Sequence, residues 1–372
     1  MTRVPGSTTV ALRRALAALV LPVLLLAGVT ALAGCGIPRI VVTAPPPKPM
    51  PPQRPVKPPT DCTRTPATEA DLWQLIATVE PGDRVCLLRH VSPDSILSLT
   101  RSGTADKPIV LESDGTRIAG LEIDASNVVV QGFNISRGTG IEAQGDNIIL
   151  RDNDVRDAFD DGIRCDPCTN SRIIGNRVVR ADGVGIGYSG SGGTIRANDV
   201  SESVHQGATA PEGIEFSGTD LTIDHNYAHD IGDPAPPTGA LPSANCFDTE
   251  DSATQLTYSI TLTDNVCANV SGRCLAADGS GRAGATIPSG VTAVRFERNF
   301  CQNASDGAVQ LVAYPGVTIS QNTFAGPFVA AVYATKGSSG VTVTGNTLLG
   351  QFEPGWADDT SPQFSHSGNL VK

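Results

Sequence analysis

The stretch LRDNDV at residues 150–155 returns along the chain as IIGNRV (173–178), IRANDV (195–200), IDHNYA (223–228), LTDNVC (262–267), FERNFC (296–301), ISQNTF (319–324) and VTGNTL (343–348). An earlier copy, VVQGFNI (129–135), carries Phe133 in the asparagine place. The anchors are therefore Phe133, Asn153, Asn176, Asn198, Asn226, Asn265, Asn299, Asn322 and Asn346, spaced by 20, 23, 22, 28, 39, 34, 23 and 24 residues. A period in the low twenties, rich in β-branched residues and glycine turns and without helical periodicity, predicts one rung of an all-β parallel solenoid per repeat. Each rung pairs with its neighbours at about 4.8 Å, so open edges exist only at the two ends. An asparagine at the same turn of every rung can pass side-chain hydrogen bonds up the stack, so these residues are read as structural.

Working outward, the body spans 61–350, about nine or ten rungs counted from the repeats. Before it, Thr68-Glu69-Ala70-Asp71 opens an apolar-periodic run (Leu72, Trp73, Leu75, Ile76, Val79), the pattern of a short capping helix. After it, 351–372 with Phe352, Trp356 and Phe364 is expected to cover the other end, and both tryptophans are read as cap residues. Residues 35–60 are proline-rich, a semi-rigid spacer. Residues 1–34 read as a secretory signal: Arg3, Arg13 and Arg14 precede the apolar run 15–29. Leu32-Ala33-Gly34-Cys35 resembles a bacterial lipobox, which implies a lipidated Cys35 and an extracytoplasmic protein tethered to the cell membrane by that anchor alone. An N-terminal transmembrane helix with an incidental cysteine is the alternative.

The formal net charge of −11 argues against a nucleic-acid partner, which needs a dense basic face. The chain is expected to be a monomer. Without Cys35, eight cysteines remain, and an oxidising compartment favours disulfides over a metal. Cys246 and Cys274 fall in one phase of the repeat and Cys267 and Cys301 in another. Rung spacing lies within the Cα range a disulfide needs, so Cys246–Cys274 and Cys267–Cys301 are predicted. Cys62–Cys86 would close the cap, and Cys165–Cys168 would clip a loop.

At this point the chain resembles the pectate-lyase-like superfamily of right-handed parallel β-helices. PGDRVCLL (81–88), SGTADKPIVLES (102–113) and IAGLEIDASNVVVQGFNIS (118–136) are similar to the opening segment of its alginate lyase and chondroitinase B-like branches. The resemblance implies a polysaccharide partner and, for an enzyme, a lyase or epimerase acting on uronic-acid glycans. The family's motifs carry over incompletely. Lys336 is the only lysine in 118–350; Asp160-Asp161 has no Gly-His-Gly to accompany it; and Phe247-Asp248-Thr249-Glu250-Asp251 lacks the proline and histidine of the epimerase motif.

The residues nevertheless converge on one region. The 39- and 34-residue gaps place long loops at 229–245 and 277–292, expected to wall a groove. Beneath them lie Asp160, Asp161 and Arg164, then Glu212 and Glu215, then Asp248, Glu250 and Asp251, then Arg273 and Asp278. Stacked carboxylates repel unless Ca²⁺, raised pKa values or arginine pairing relieves them. On the superfamily's elimination logic, Ca²⁺ would sit on Asp248, Glu250 or Asp251, and Arg273 would be the base, with Asp248 and Glu215 completing the catalytic set. Asp161, Arg164, Glu212 and Tyr227 would bind substrate. The rival reading is a non-catalytic envelope or adhesion module whose acids form a surface ion-pair ladder. His225 and His229 are not expected to bind metal, and Tyr188, Tyr227, Tyr314 and Tyr333 are either sugar platforms or half-buried solenoid tyrosines.

Overall fold

The structure, a computed structural model, describes residues 61–87, 91–203, 212–232, 244–304, 307–326 and 328–372. The signal segment, Cys35 with its lipidation, the 35–60 spacer and most of the 229–245 loop lie outside the described residues. Every strand pairing among the described residues is parallel, with the register kept from rung to rung apart from single shifts at Ile118/Gly120, Ala143/Gly145 and Tyr188/Gly190. A rung holds three strands, for example Ile148–Arg151, Asp154–Arg156 and Ile163–Thr169. The first strands form a twelve-stranded sheet. The second and third strands form a twenty-stranded sheet, joined where the long strand Asn134–Asp146 pairs with both Asp154–Arg156 and Ile163–Thr169.

Register explains the core. In the third strands, Leu97, Leu121, Ile141, Ile163, Ile186, Ile214, Phe247, Leu275, Val309 and Val332 stack in one inward row, all buried. The asparagines form the ladder the sequence predicts. The Asn176 amide donates to Asn198 Oδ1 (3.0 Å) and to the Leu150 carbonyl (2.9 Å), and Asn198 Oδ1 also accepts the Asn176 backbone N–H (2.9 Å). The same pattern runs unbroken from Asn153 to Asn369. The residue before each ladder position holds a positive φ, whether Gly175 (66°), Asp152 (55°) or His225 (56°). This left-handed step turns the chain out of the first strand. His225 is thus a turn residue with an exposed ring.

The cap helix is Glu69–Thr78, with Thr68 as its N-cap accepting from the Asp71 N–H at 3.1 Å. Leu72, Ile76 and Val79 close the first rung, whereas Trp73 lies on the outer side, 40% exposed. The C-terminal stretch carries strands Glu353–Ala357, Ser365–Ser367 and Leu370–Val371, each in register with the rung before, and Asn369 extends the ladder. The 351–372 segment is therefore a further rung rather than a lid alone. Trp356, 51% exposed, lies on the outer face beside Tyr333 and not over the open end of the core.

Two disulfides match the expectation, Cys62–Cys86 and Cys165–Cys168. The other two are corrected: Cys246 bonds Cys267, and Cys274 bonds Cys301, with Cα separations of 5.9 and 6.1 Å. Cys267 and Cys301 are register partners, as predicted. However, stacked inward side chains project in parallel, which keeps their Cβ atoms near the strand spacing of about 4.8 Å, beyond the roughly 3.5–4.5 Å a disulfide prefers. Cysteines that face each other diagonally across the inside corner, one rung apart, bring their Cβ atoms together. Four disulfides place the folded chain in an oxidising, extracytoplasmic compartment.

Candidate functional site

The third strands carry one continuous outward row, alternating with the buried row above: Ser98, Glu122, Glu142, Arg164, Gly187, Glu215, Asp248, Ala276, Gln310, Tyr333 and Trp356. Beside it runs a shorter row at the strand starts, made by Asp161, Val184, Glu212, Asn245 and Arg273, whose backbones bond from rung to rung. Acidic residues therefore meet across and along the rungs, as the sequence implies.

Arginine pairing relieves one end. Arg164 Nη1 lies 2.9 Å from Asp161 Oδ2 and 3.4 Å from Glu215 Oε2, and its Nη2 lies 3.4 Å from Asp166. Reaching Glu215 means crossing a rung, and Gly187 permits it: a Cβ there would stand 3.3 Å from Arg164 Nη1. Burial works against the Arg164 charge, but the Asp161 hydrogen bond and the surrounding carboxylates outweigh it, so its pKa rises. Asp161 Oδ1 is also held by the Val184 N–H at 2.7 Å.

Protonation relieves the other end. Glu212 is buried, and both of its oxygens accept from Asn245, one from the backbone N–H and one from Nδ2 at 3.3 Å. The same Nδ2 donates to Asp248 Oδ1 at 3.0 Å, so one amide clamps two carboxyl groups. The Asn245 oxygen in turn accepts the Arg273 backbone N–H at 3.0 Å. Burial, then the charge of Asp248, pushes Glu212 up to about 9. Burial, then Glu250 and Glu215, pushes Asp248 up to about 7. Glu215 is raised by burial, held back by Arg164. Two adjacent outward carboxyls thus differ in surroundings: neighbouring acids add to the rise at Asp248, whereas Arg164 opposes the rise at Glu215.

The expected site residues divide accordingly. Asp161, Arg164, Glu212, Glu215 and Asp248 come together, and Arg273 joins them through its backbone. Asp251 does not. It points inward into a buried ion pair with Arg282 Nε, while its other oxygen accepts the Thr257 N–H at 2.8 Å. Arg282 also donates to the Ala313 carbonyl (3.1 Å) and lies 4.5 Å over the Tyr314 ring. This pins the short turn Ser280–Arg282 onto the rungs, so that part of the 277–292 loop is a strap and not a free-standing wall. Asp248, Glu250 and Asp251 accordingly do not form one set of calcium ligands. Among the described residues, the ligand atoms that converge are those of Asp224, His225 and Asp264, and of Cys267, Cys274 and Cys301. The cysteines are consumed in disulfides, and the two aspartates pair with Arg196 and Arg298. Tyr227 also leaves the site: it lies in the second-strand row, stacked on His229 at 4.0 Å. There, burial works against the His229 charge, but the hydrogen bonds its ring nitrogens donate to Asp199 and Asp230 outweigh it and raise its pKa.

Several contributors escaped the sequence. Gln255, in the loop after Asp251, donates from Nε2 to Ser189 and Ser217 Oγ, both at 2.8 Å, and so lies over the same face. A cavity of about 500 Å³ opens at the N-terminal end of the row, lined by Glu122, Asp124, Glu142, Asp161, Arg164 and Asp166 among others. At the C-terminal end, Tyr333 and Trp356 put rings where the rest of the row has polar groups.

The sequence matches the right-handed β-helix region family over residues 111–210. No curated protein sequence matches it. Among solved structures, the catalytic unit of a thermostable GH87 α-1,3-glucanase from Streptomyces thermodiastaticus superposes with a TM-score of 0.58 at 14% identity, over 82% of this chain and 65% of that one. A GH136 lacto-N-biosidase from Eubacterium ramulus gives 0.52 at 12% identity, over 82% of this chain and 64% of the other. The A-module of a mannuronan C-5 epimerase from Azotobacter vinelandii gives 0.52 at 13%, over 82% and 94%. The chain thus spans just under two thirds of the length of the first two. At these identities the likeness is one of fold.

Proposed function

We propose that this right-handed parallel β-helix protein acts on an extracytoplasmic polysaccharide, with Asp248 as proton donor and Glu215 as the ionised partner. The observation that carries the reading is the pair itself: register partners on adjacent rungs, with Asp248 held by the Asn245 amide and Glu215 paired with Arg164. Both side chains leave the outward face of neighbouring strands about one rung apart, so an acid and a carboxylate are presented side by side to one ligand. Glu212 and Asn245 position Asp248, and Arg164 positions Glu215. That the similar structures are a glucanase, a lacto-N-biosidase and a mannuronan epimerase supports a carbohydrate at this face. A row this acidic favours a neutral or cationic glycan over a uronate. Asp251 is turned inward onto Arg282, so this reading routes no step through calcium. The lipidated Cys35 and spacer would hold the domain outside the membrane.

The experiment is incubation of the protein with neutral glucans, an amino-sugar polymer, alginate and polygalacturonate, with Ca²⁺ or with chelator. New reducing ends and unsaturated-uronate absorbance are both followed. The expected result is reducing ends without absorbance, insensitive to chelator and lost in Asp248→Asn. Calcium-dependent absorbance lost in Arg273→Ala would replace this mechanism by uronate elimination. Saturable binding without turnover would make the chain a binding module.

A further inference from the structure

The outward row that carries Glu215 and Asp248 does not end in charge. Beyond Asp248 come Ala276 and Gln310, then Tyr333 and Trp356. Both rings stand on the same face, three and four rungs from Asp248, about 14 and 19 Å at the rung spacing. Their ring centroids are 6.2 Å apart and inclined by 54°. Tyr333 is fixed in place: its hydroxyl accepts the Ala330 N–H at 3.1 Å, and its edge lies against Gly307, where a Cβ would come within 3.1 Å. Trp356 is half exposed and in register with Tyr333, so the two rings form one accessible aromatic patch on this face.

The geometry points to Tyr333 and Trp356 as a distal sugar-stacking subsite, so that a glycan chain lies along the helix axis with its scissile or modified unit over Asp248. This rests on the reading of the acid row as a glycan site and adds direction and length to it. The occupant follows from the row. An extended glycan advances by about one rung per sugar unit, and the apolar faces of its rings match aromatic faces that need no charge. Ala276 and Gln310 put no charge into the row between the two ends, and Asp278 lies beside them on the same face. A substrate must then be several units long to engage both, and short oligosaccharides reach only the acids.

The test uses the fact that the chain has two tryptophans, Trp73 and Trp356. In Trp73→Phe, emission reports Trp356 alone. Titration with an α-1,3-glucan and an amino-sugar oligomer series, alongside alginate and polygalacturonate, is expected to shift that emission saturably for long chains and leave it unmoved by disaccharides. In Trp356→Ala, KM for the polymer that is turned over should rise roughly tenfold, the scale of one lost stacking contact, with kcat and short-substrate KM unchanged. Turnover of a polymer with unmoved emission and an unchanged KM in Trp356→Ala overturns the subsite while sparing the acid row. Absence of turnover and binding for every glycan removes the underlying reading, and the subsite with it. An emission shift that follows protein concentration without glycan means that a second copy covers the rings, and it also overturns the proposal.

Discussion

The inward asparagine ladder and the outward carboxylate row are built by the same repetition and reach opposite outcomes. An amide carries donor and acceptor together, so identical copies one rung apart satisfy one another without limit, as Asn153 through Asn369 do. A carboxylate only accepts, so identical copies repel, and each must find a cation, a donor or a proton. Along the outward row Arg164 supplies the first, Asn245 the second, and raised pKa values the third. Repetition stabilises where the side chain complements itself. Where it does not, the departure from simple stacking marks chemistry.

The harshest way to break this contrast is to strand a charge. Arg282→Ala leaves Asp251 buried without its partner and should cost about 3–5 kcal/mol in chemical denaturation. A loss below about 1 kcal/mol would mean that the strap is not held by this pair. Next is the ladder itself. Asn226→Ala removes the acceptor for the Asn198 N–H and a donor to the Ile195 carbonyl, an expected loss of about 2–4 kcal/mol from two buried groups left unsatisfied. The same change at Asn369, on the last rung, should cost under about 1 kcal/mol. Equal losses at the two sites would deny that the ladder is cooperative along its length.

The acid row sharpens the contrast through pH. Burial pushes Glu212 up to about 9 in the folded state from its ordinary value of 4.5, so the folded state binds more protons than the unfolded state between those limits. Its contribution is intact in acid and is lost as pH rises. Glu212→Gln should therefore gain melting temperature relative to the parent by several degrees on going from about pH 5 to about pH 9. A difference that is flat with pH would show that Glu212 titrates normally. Smaller still, Gly187→Ala should displace Arg164 from Glu215, cutting turnover while changing stability by less than about 1 kcal/mol, because the ion pair is more than a third exposed. Glu250→Gln removes a charge that raises Asp248 and should move the alkaline limb of activity down by less than about one pH unit. An unmoved limb would assign that limb to another group.

The sequence disclosed what repeats and hid what depends on direction. The ladder and core rows were legible because period and alternation state them outright. Asp251 was misplaced although the signal was there: it shares parity with the inward Phe247 and Thr249, not with the outward Asp248 and Glu250. The disulfide partners were mis-paired because spacing fixes Cα distances and says nothing of where Cβ points. Trp73 and Trp356 were assigned to cap covering by their location, yet one additional rung and one turn of helix face them outward. The reach of Arg164 across Gly187 leaves no trace in any short motif.

The diagonal disulfides have one more consequence. A stack whose units touch only their neighbours unzips from its ends, losing one rung at a time. Cys246–Cys267 and Cys274–Cys301 are staples set in succession, so an unravelling that starts at either tip meets covalent closure before it crosses the middle. The stapled block begins at the strand that bears Asp248. The rungs after Cys301 carry no such staple and can open first, while the rungs around Asp248 are held in alignment.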